Sequence, residues 1–140
     1  MAINYFSQDI DFILKGKCDT RRWIAKVIHL FHFKAGDINY IFVSNNYILE
    51  INQKYLAHDY FTDIITFDNS EKKDVINGDI YISIDTVKSN ATKYDVTFEN
   101  ELKRVMIHGI LHLIGFNDHT EEEKIVMREK EDSCLKLLFS

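Results

Sequence analysis

The sequence predicts an α+β domain, a small mixed β-sheet of about four strands packed with about five helices. Apolar residues recur at helical three- and four-residue spacing in long stretches towards both ends of the chain, while the middle carries short runs rich in Ile, Val, Phe and Tyr. No internal repeat, low-complexity tract or Gly/Ser linker interrupts it, so residues 1–140 read as a single domain. Hydrophobic residues make up 46% of the chain, with 5 Gly and no Pro. A chain of this length buries roughly 68–70% of its unfolded surface, so a metal is not needed to hold the fold together.

Asn4 to Phe6 is a candidate first strand. From Thr20 to Phe33, Trp23, Ile24, Val27, Ile28 and Phe31 mark one face of a helix that Asp19 or Thr20 can cap and Gly36 stops. Ile38 to Val43 is β-rich and short enough for a strand. Ser44 or Asn45 then caps a helix through Tyr55, with Ile48, Leu49, Ile51 and Tyr55 on its buried side. Ile64 to Phe67 and Ile80 to Ile84 read as two more strands, the second launched from Asn77-Gly78, with a surface loop from Asn69 to Asn77 before it. Helical spacing returns after Asp85 through Ala91, and again from Phe98 to Leu113. A last helix runs from about Thr120, whose Glu123 completes a capping box, to Leu138, and Glu121 to Glu123 suit the positive end of its dipole.

Seventeen Lys+Arg against 22 Asp+Glu give a net charge of -5, so no whole-protein basic field attracts nucleic acid and any such contact must be local. Cys18 and Cys134 match no CxxC spacing and read as free thiols of a reducing compartment. The first residues lack the features of a signal peptide, and there is no apolar run long enough to span a bilayer. A soluble, cytoplasmic protein without a membrane partner is expected.

The most informative segment is His108-Gly-Ile-Leu-His112-Leu-Ile-Gly115-Phe-Asn-Asp118-His119. Two histidines four apart on a helix present their rings on one face, close enough to bind one small cation. Gly115 can end that helix and turn the chain back, so that Asp118 or His119 supplies a third ligand. Zinc is the first candidate, because catalytic zinc takes three N or O ligands from protein and leaves the fourth position to water. In the HExxH arrangement of metalloproteases the residue after the first His is a glutamate base, and here it is Gly109, which cannot move a proton. This weakens a peptidase reading.

HGILHLIGFNDH is similar to the HGxLHLxGYDH signature of the YbeY family of metal-dependent, single-strand-specific endoribonucleases. Asn52 to Phe67 resembles the family's N-x-x-Y-R-x-x-D-x-P-T-D-V-L-S-F, and Gly78 to Ser83 its G-D-I-x-I-S. The resemblance implies a zinc-dependent RNase, one zinc per chain, acting on single-stranded RNA at the small ribosomal subunit, in maturation of the 3′ end of its RNA and in late quality control. By family position His108 and His112 are zinc ligands. The third ligand falls ten residues after the first, which is Asp118, favoured here over His119; if His119 is the ligand, Asn117 is an insertion.

Two departures stand out. Leu56 replaces the Arg that follows the family's Tyr, and Phe61 replaces a Pro. A guanidinium there would hold phosphate oxygens in paired hydrogen bonds, which leucine cannot do. Lys54, His58 or Arg104 are stand-ins, although each reads more simply as a solvated surface residue. Thr62-Asp63 and Asp79 read as turn residues satisfying backbone donors, and Trp23, Phe42, Tyr55 and Phe67 as core, with stacking of unpaired bases as their alternative use. The rival function is a non-catalytic zinc-binding ribosome-assembly factor; the residue that moves protons is left unassigned.

Overall fold

The computed structural model describes residues 2–56 and 62–138. The elements follow in the order β1 (Ala2–Ser7), α1 (Lys17–Leu30), β2 (Lys34–Val43), α2 (Asn45–Leu56), β3 (Ile64–Asp68), β4 (Val75–Ser83), α3 (Ile84–Lys93), α4 (Phe98–Ile114) and α5 (Glu121–Leu138). The expected α+β class, four strands and five helices are what the fold contains. The sheet order is β1-β2-β4-β3, with β1, β2 and β4 parallel and β3 antiparallel along the edge of β4.

Strand alternation divides the core in two. Ile38, Tyr40 and Phe42 of β2 and Ile76, Ile80 and Ile82 of β4 face the large cluster that α1, α4 and α5 complete. Val43 and Ile65 face the opposite way, onto Ile48 and Ile51 of α2. Helix α4 is the centre of the larger layer: residues as unlike as Glu101, Leu102, Val105, Gly109 and Leu113 are all buried along it. Two polar contacts pin the layer. Buried Tyr40 donates its hydroxyl to the Met106 carbonyl at 3.0 Å, and Trp23 donates its indole N–H to the Cys134 carbonyl at 2.8 Å, tying α1 to α5.

Several boundaries differ from expectation, for local reasons. Helix α1 begins at Lys17, with Gly16 as its N-cap, so neither Asp19 nor Thr20 caps it. It ends at Leu30 and not at Phe33: His32 takes the left-handed conformation (φ 67°) and Phe33 N–H returns to the Ile28 carbonyl at 3.1 Å, a helix stop built without glycine. Gly36 therefore lies inside β2, beside an irregularity in the β2–β4 register between Ala35 and Ile38. Strand β4 starts at Val75, so Asn77-Gly78 is within the strand and the preceding loop is shorter than predicted, while Ile84 already belongs to α3. Tyr55, assigned to the core, is 61% exposed, its edge against Phe67 and the Lys54 ammonium over its ring. Ser44 does cap α2, accepting from Tyr47 N–H, and Thr120 and Glu123 exchange the two bonds of a capping box at 3.0 Å each. Among the described residues, no helix is long and apolar enough to cross a membrane.

Candidate metal centre

The end of α4 is a chain reversal with a defined hydrogen-bond pattern. Gly115 N–H returns to the Leu111 and His112 carbonyls at 3.1 Å each, and Phe116 N–H to Leu111 at 3.0 Å. Gly115 sits at φ 126°, a backbone conformation that L side chains rarely adopt. The turn brings Asp118 back over the last two turns of α4.

There, His108 Nε2 lies 2.9 Å from His112 Nε2, and the Asp118 carboxylate oxygen lies 3.3 Å from the first and 3.5 Å from the second. Zinc bonds of 2.0–2.1 Å in tetrahedral array set donor atoms about 3.3 Å apart. The separations suit one small cation, with the two imidazoles slightly closer than ideal. His108, His112 and Asp118 are the group of the described residues whose donor atoms converge this way. His119 is exposed and lies outside the group, on the wall of an adjoining cavity.

The two imidazoles differ. His108 directs Nδ1 at Glu131 Oε2, 2.6 Å away on α5. Burial pulls its pKa down, but Glu131, with Asp118 and Asp63, outweighs burial and leaves it raised above the usual histidine value. His112 is lowered, by burial and by the neighbouring His108, against the pull of Asp118. Asp63, half-buried beside this group, is raised by desolvation despite the nearby His108.

Two cavities flank the centre. On the His112 side an open one of about 400 Å³ runs between the end of α2, edge strand β3 and the turn, with Asn52, Leu56, Thr62, Thr66 and His119 on its walls. No lysine or arginine is among its described lining residues. On the His108 side a smaller polar cavity of about 170 Å³ is lined by Asp63, Glu101, Arg104, Arg128 and Glu131, among others.

The remaining candidates fall into place around this. Arg104 is neither solvated nor free: it donates to Glu131 at 2.9 Å and to Asp132 at 2.6 Å, with its side chain 16% exposed. Lys54 is engaged with the Tyr55 ring, and His58 and Phe61 lie outside the described residues. Thr62 donates its hydroxyl to the Ile64 carbonyl at 3.3 Å, as a turn residue does, and Asp79 accepts from Asn39 at 3.0 Å and Asn69 at 3.3 Å. Glu131 was not legible as a site residue, its weak signal being its place in the helix that follows the turn; Arg104, a candidate phosphate holder by sequence, is paired with Glu131 and Asp132 instead.

Gly109 has a packing reason. A Cβ at that position would lie 3.0 Å from Ile64 Cδ1 and 3.0 Å from Ile80 Cγ2, so α4 rests on β3 and β4 where a metalloprotease carries its glutamate. A longer side chain there would have to displace Ile64, Ile80 or the helix itself.

The family model described as Endoribonuclease YbeY matches residues 7–138 of the chain. A protein of that name from Flavobacterium psychrophilum is 50% identical over 132 residues, covering 94% of each chain. One from Azobacteroides pseudotrichonymphae is 48% identical over 140 residues, the full length of both. The solution structure of a Thermotoga maritima protein superposes with a TM-score of 0.69 at 28% identity, covering 99% of this chain and 89% of that one.

Proposed function

Because the chain belongs to the endoribonuclease YbeY family, we propose that it is a zinc-dependent endoribonuclease that cuts single-stranded RNA, in the cytoplasm and in maturation and quality control of the small ribosomal subunit. The observation that carries the reading is the convergence of His108, His112 and Asp118, with His112 on the wall of an open cavity. His108 and His112 supply neutral nitrogen donors, Asp118 supplies the negative one, and His112 faces the cavity in which a strand would lie. Zinc held there supplies Lewis acidity towards a phosphoryl oxygen and activates water at neutral pH. The 3.3 Å and 3.5 Å spacings support Asp118 over His119 as the third ligand.

The cavity walls order polar groups around the reacting strand, and the open edge of β3 offers unpaired backbone groups beside them. The absence of lysine and arginine among the described lining residues favours a second reading, an assembly factor in which the metal orders the turn and docking is the function. Purified protein of measured zinc content, assayed on single-stranded and duplex RNA, separates the two. The expected result is cleavage of the single strand, lost in His112→Ala while circular dichroism is retained. Zinc-loaded protein that leaves both RNAs intact supports the assembly factor, and cleavage retained by His112→Ala refutes the metal mechanism.

A further inference from the structure

His108 and His112 are four apart on one helix but have different partners behind them. Behind His108 stands Glu131, 6% exposed, reaching from α5 with both oxygens occupied: Oε2 at 2.6 Å from His108 Nδ1 and Oε1 at 2.9 Å from Arg104 Nη1. Arg104 lies one helical turn before His108 and uses its other prong on Asp132 at 2.6 Å. A chain of charge-assisted hydrogen bonds thus runs Asp132, Arg104, Glu131, His108, and ends at the metal-facing nitrogen. The carboxylate is held from behind by a planar guanidinium, so its direction towards the imidazole is fixed.

We propose that Glu131 is a positioning residue of the metal site: by accepting the Nδ1 proton of His108, it fixes the tautomer and ring orientation that leave Nε2 unprotonated and aimed at the cation. This rests on the metal reading of the site given above. A carboxylate in this place also makes the imidazole a more basic donor, which a neutral acceptor does not. A second consequence is that α5, which carries no ligand, sets the affinity of the ligands on α4 and on the turn.

A purely structural salt bridge between α4 and α5 would stabilise the fold without acting on the metal, and the two roles are separable. Glu131→Gln keeps the size of the side chain and an acceptor oxygen while removing the charge. Its zinc affinity, by competitive chelator titration on protein whose circular dichroism matches wild type, is expected to fall ~10–100-fold. Glu129→Gln, which neutralises an exposed carboxylate of the same helix, is expected to leave affinity within about twofold. In a His108→Ala background, Glu131→Gln is expected to have no further effect on zinc affinity, because it acts through that ring. In zinc-loaded wild type the ¹⁵N spectrum of His108 is expected to show a protonated Nδ1, shifted in Glu131→Gln. Unchanged affinity in Glu131→Gln, or an equal loss in the His108→Ala background, overturns the proposal and leaves the metal reading standing. A wild type that binds no zinc overturns both.

Discussion

Replacing Gly115 with alanine tests whether the turn, rather than the helix alone, builds the metal centre. No heavy atom lies within 4 Å of where its Cβ would sit, so the substitution acts through the backbone and not through a clash. The chain offers its own calibration: His32 and Asp95 occupy left-handed positions just past α1 and α3 at φ 67° and 55°, where L residues are tolerated. Gly115 lies at φ 126°, about 60–70° beyond them. Staying there costs an alanine roughly 1–3 kcal/mol. Rotating to the left-handed well costs ~1–2 kcal/mol instead, and the open space permits it. Rotation swings Asp118, three residues on, by far more than the ~0.2 Å tolerance of zinc coordination. The control is Gly16→Ala at the N-cap of α1, where φ is 69° and the space is equally open. In the metal-free proteins both variants are expected to lower the unfolding midpoint by about 4–8 °C, from ~1–2 kcal/mol each. Only Gly115→Ala is expected to weaken zinc binding, by at least ~10-fold, since it displaces a ligand. Gly115→Ala binding zinc as tightly as Gly16→Ala would refute the reasoning.

Asp118→Ala is expected to weaken zinc binding far more than His119→Ala in chelator titrations; the reverse order would make His119 the third ligand. Gly109→Glu places a buried carboxylate between Ile64 and Ile80, where even a Cβ is crowded at 3.0 Å, and is expected to abolish cooperative unfolding without creating peptidase activity; a soluble variant with the wild-type midpoint would contradict this. Burial, with Asp63 and Glu131, raises the Glu101 pKa, so its contribution to stability is fully present below the unfolded carboxyl value and lost as pH rises through the folded one. Glu101→Gln is therefore expected to raise the unfolding midpoint of the metal-free protein by about 2–4 °C at pH 8, equivalent to less than 1 kcal/mol, and by less at pH 5. A larger gain at pH 5 than at pH 8 would reverse the sign and refute it.

Apolar patterning located the described helices and strands β2 to β4, because a one-sided pattern survives in sequence whatever the partner is, whereas β1, whose burial does not alternate, was legible only as a candidate at Asn4 to Phe6. Boundaries were less legible where backbone geometry ignores residue preference. Helix α1 ends at Leu30 although Gly36 looked like the stop, because His32 just beyond it takes the left-handed conformation and Phe33 N–H returns to the Ile28 carbonyl. Asn77-Gly78 looked like a turn, yet it sits within β4 and pairs with β2 and β3, since sheet partners on both sides override the local turn signal. Tyr55 fits the apolar stripe of α2, but it falls in the last turn, past the ground covered by Val43 and Ile65, and is left in solvent.

The site divides in the same way, along the line between local and long-range geometry. His108, His112 and a third donor at Asp118 or His119 are read from one stretch of chain because helix spacing and a glycine stop are local rules, and the family resemblance is what favours Asp118 of the two. Glu131, and the pairing that turns Arg104 from a candidate phosphate holder into its partner, are not, because both depend on how α5 docks on α4, and an isolated glutamate of a polar helix carries no mark of the imidazole it faces. Gly109 joins the two cases. Its place in the motif is visible in sequence, and taken alone it reads as the loss of a catalytic base. The packing of α4 on Ile64 and Ile80 gives it another meaning: the close approach that crowds a glutamate also holds the helix of His108 and His112 against edge strand β3, which borders the cavity beside His112. A glutamate at that position would have to displace Ile64, Ile80 or the helix, so the contact that shapes the groove works against an HExxH base.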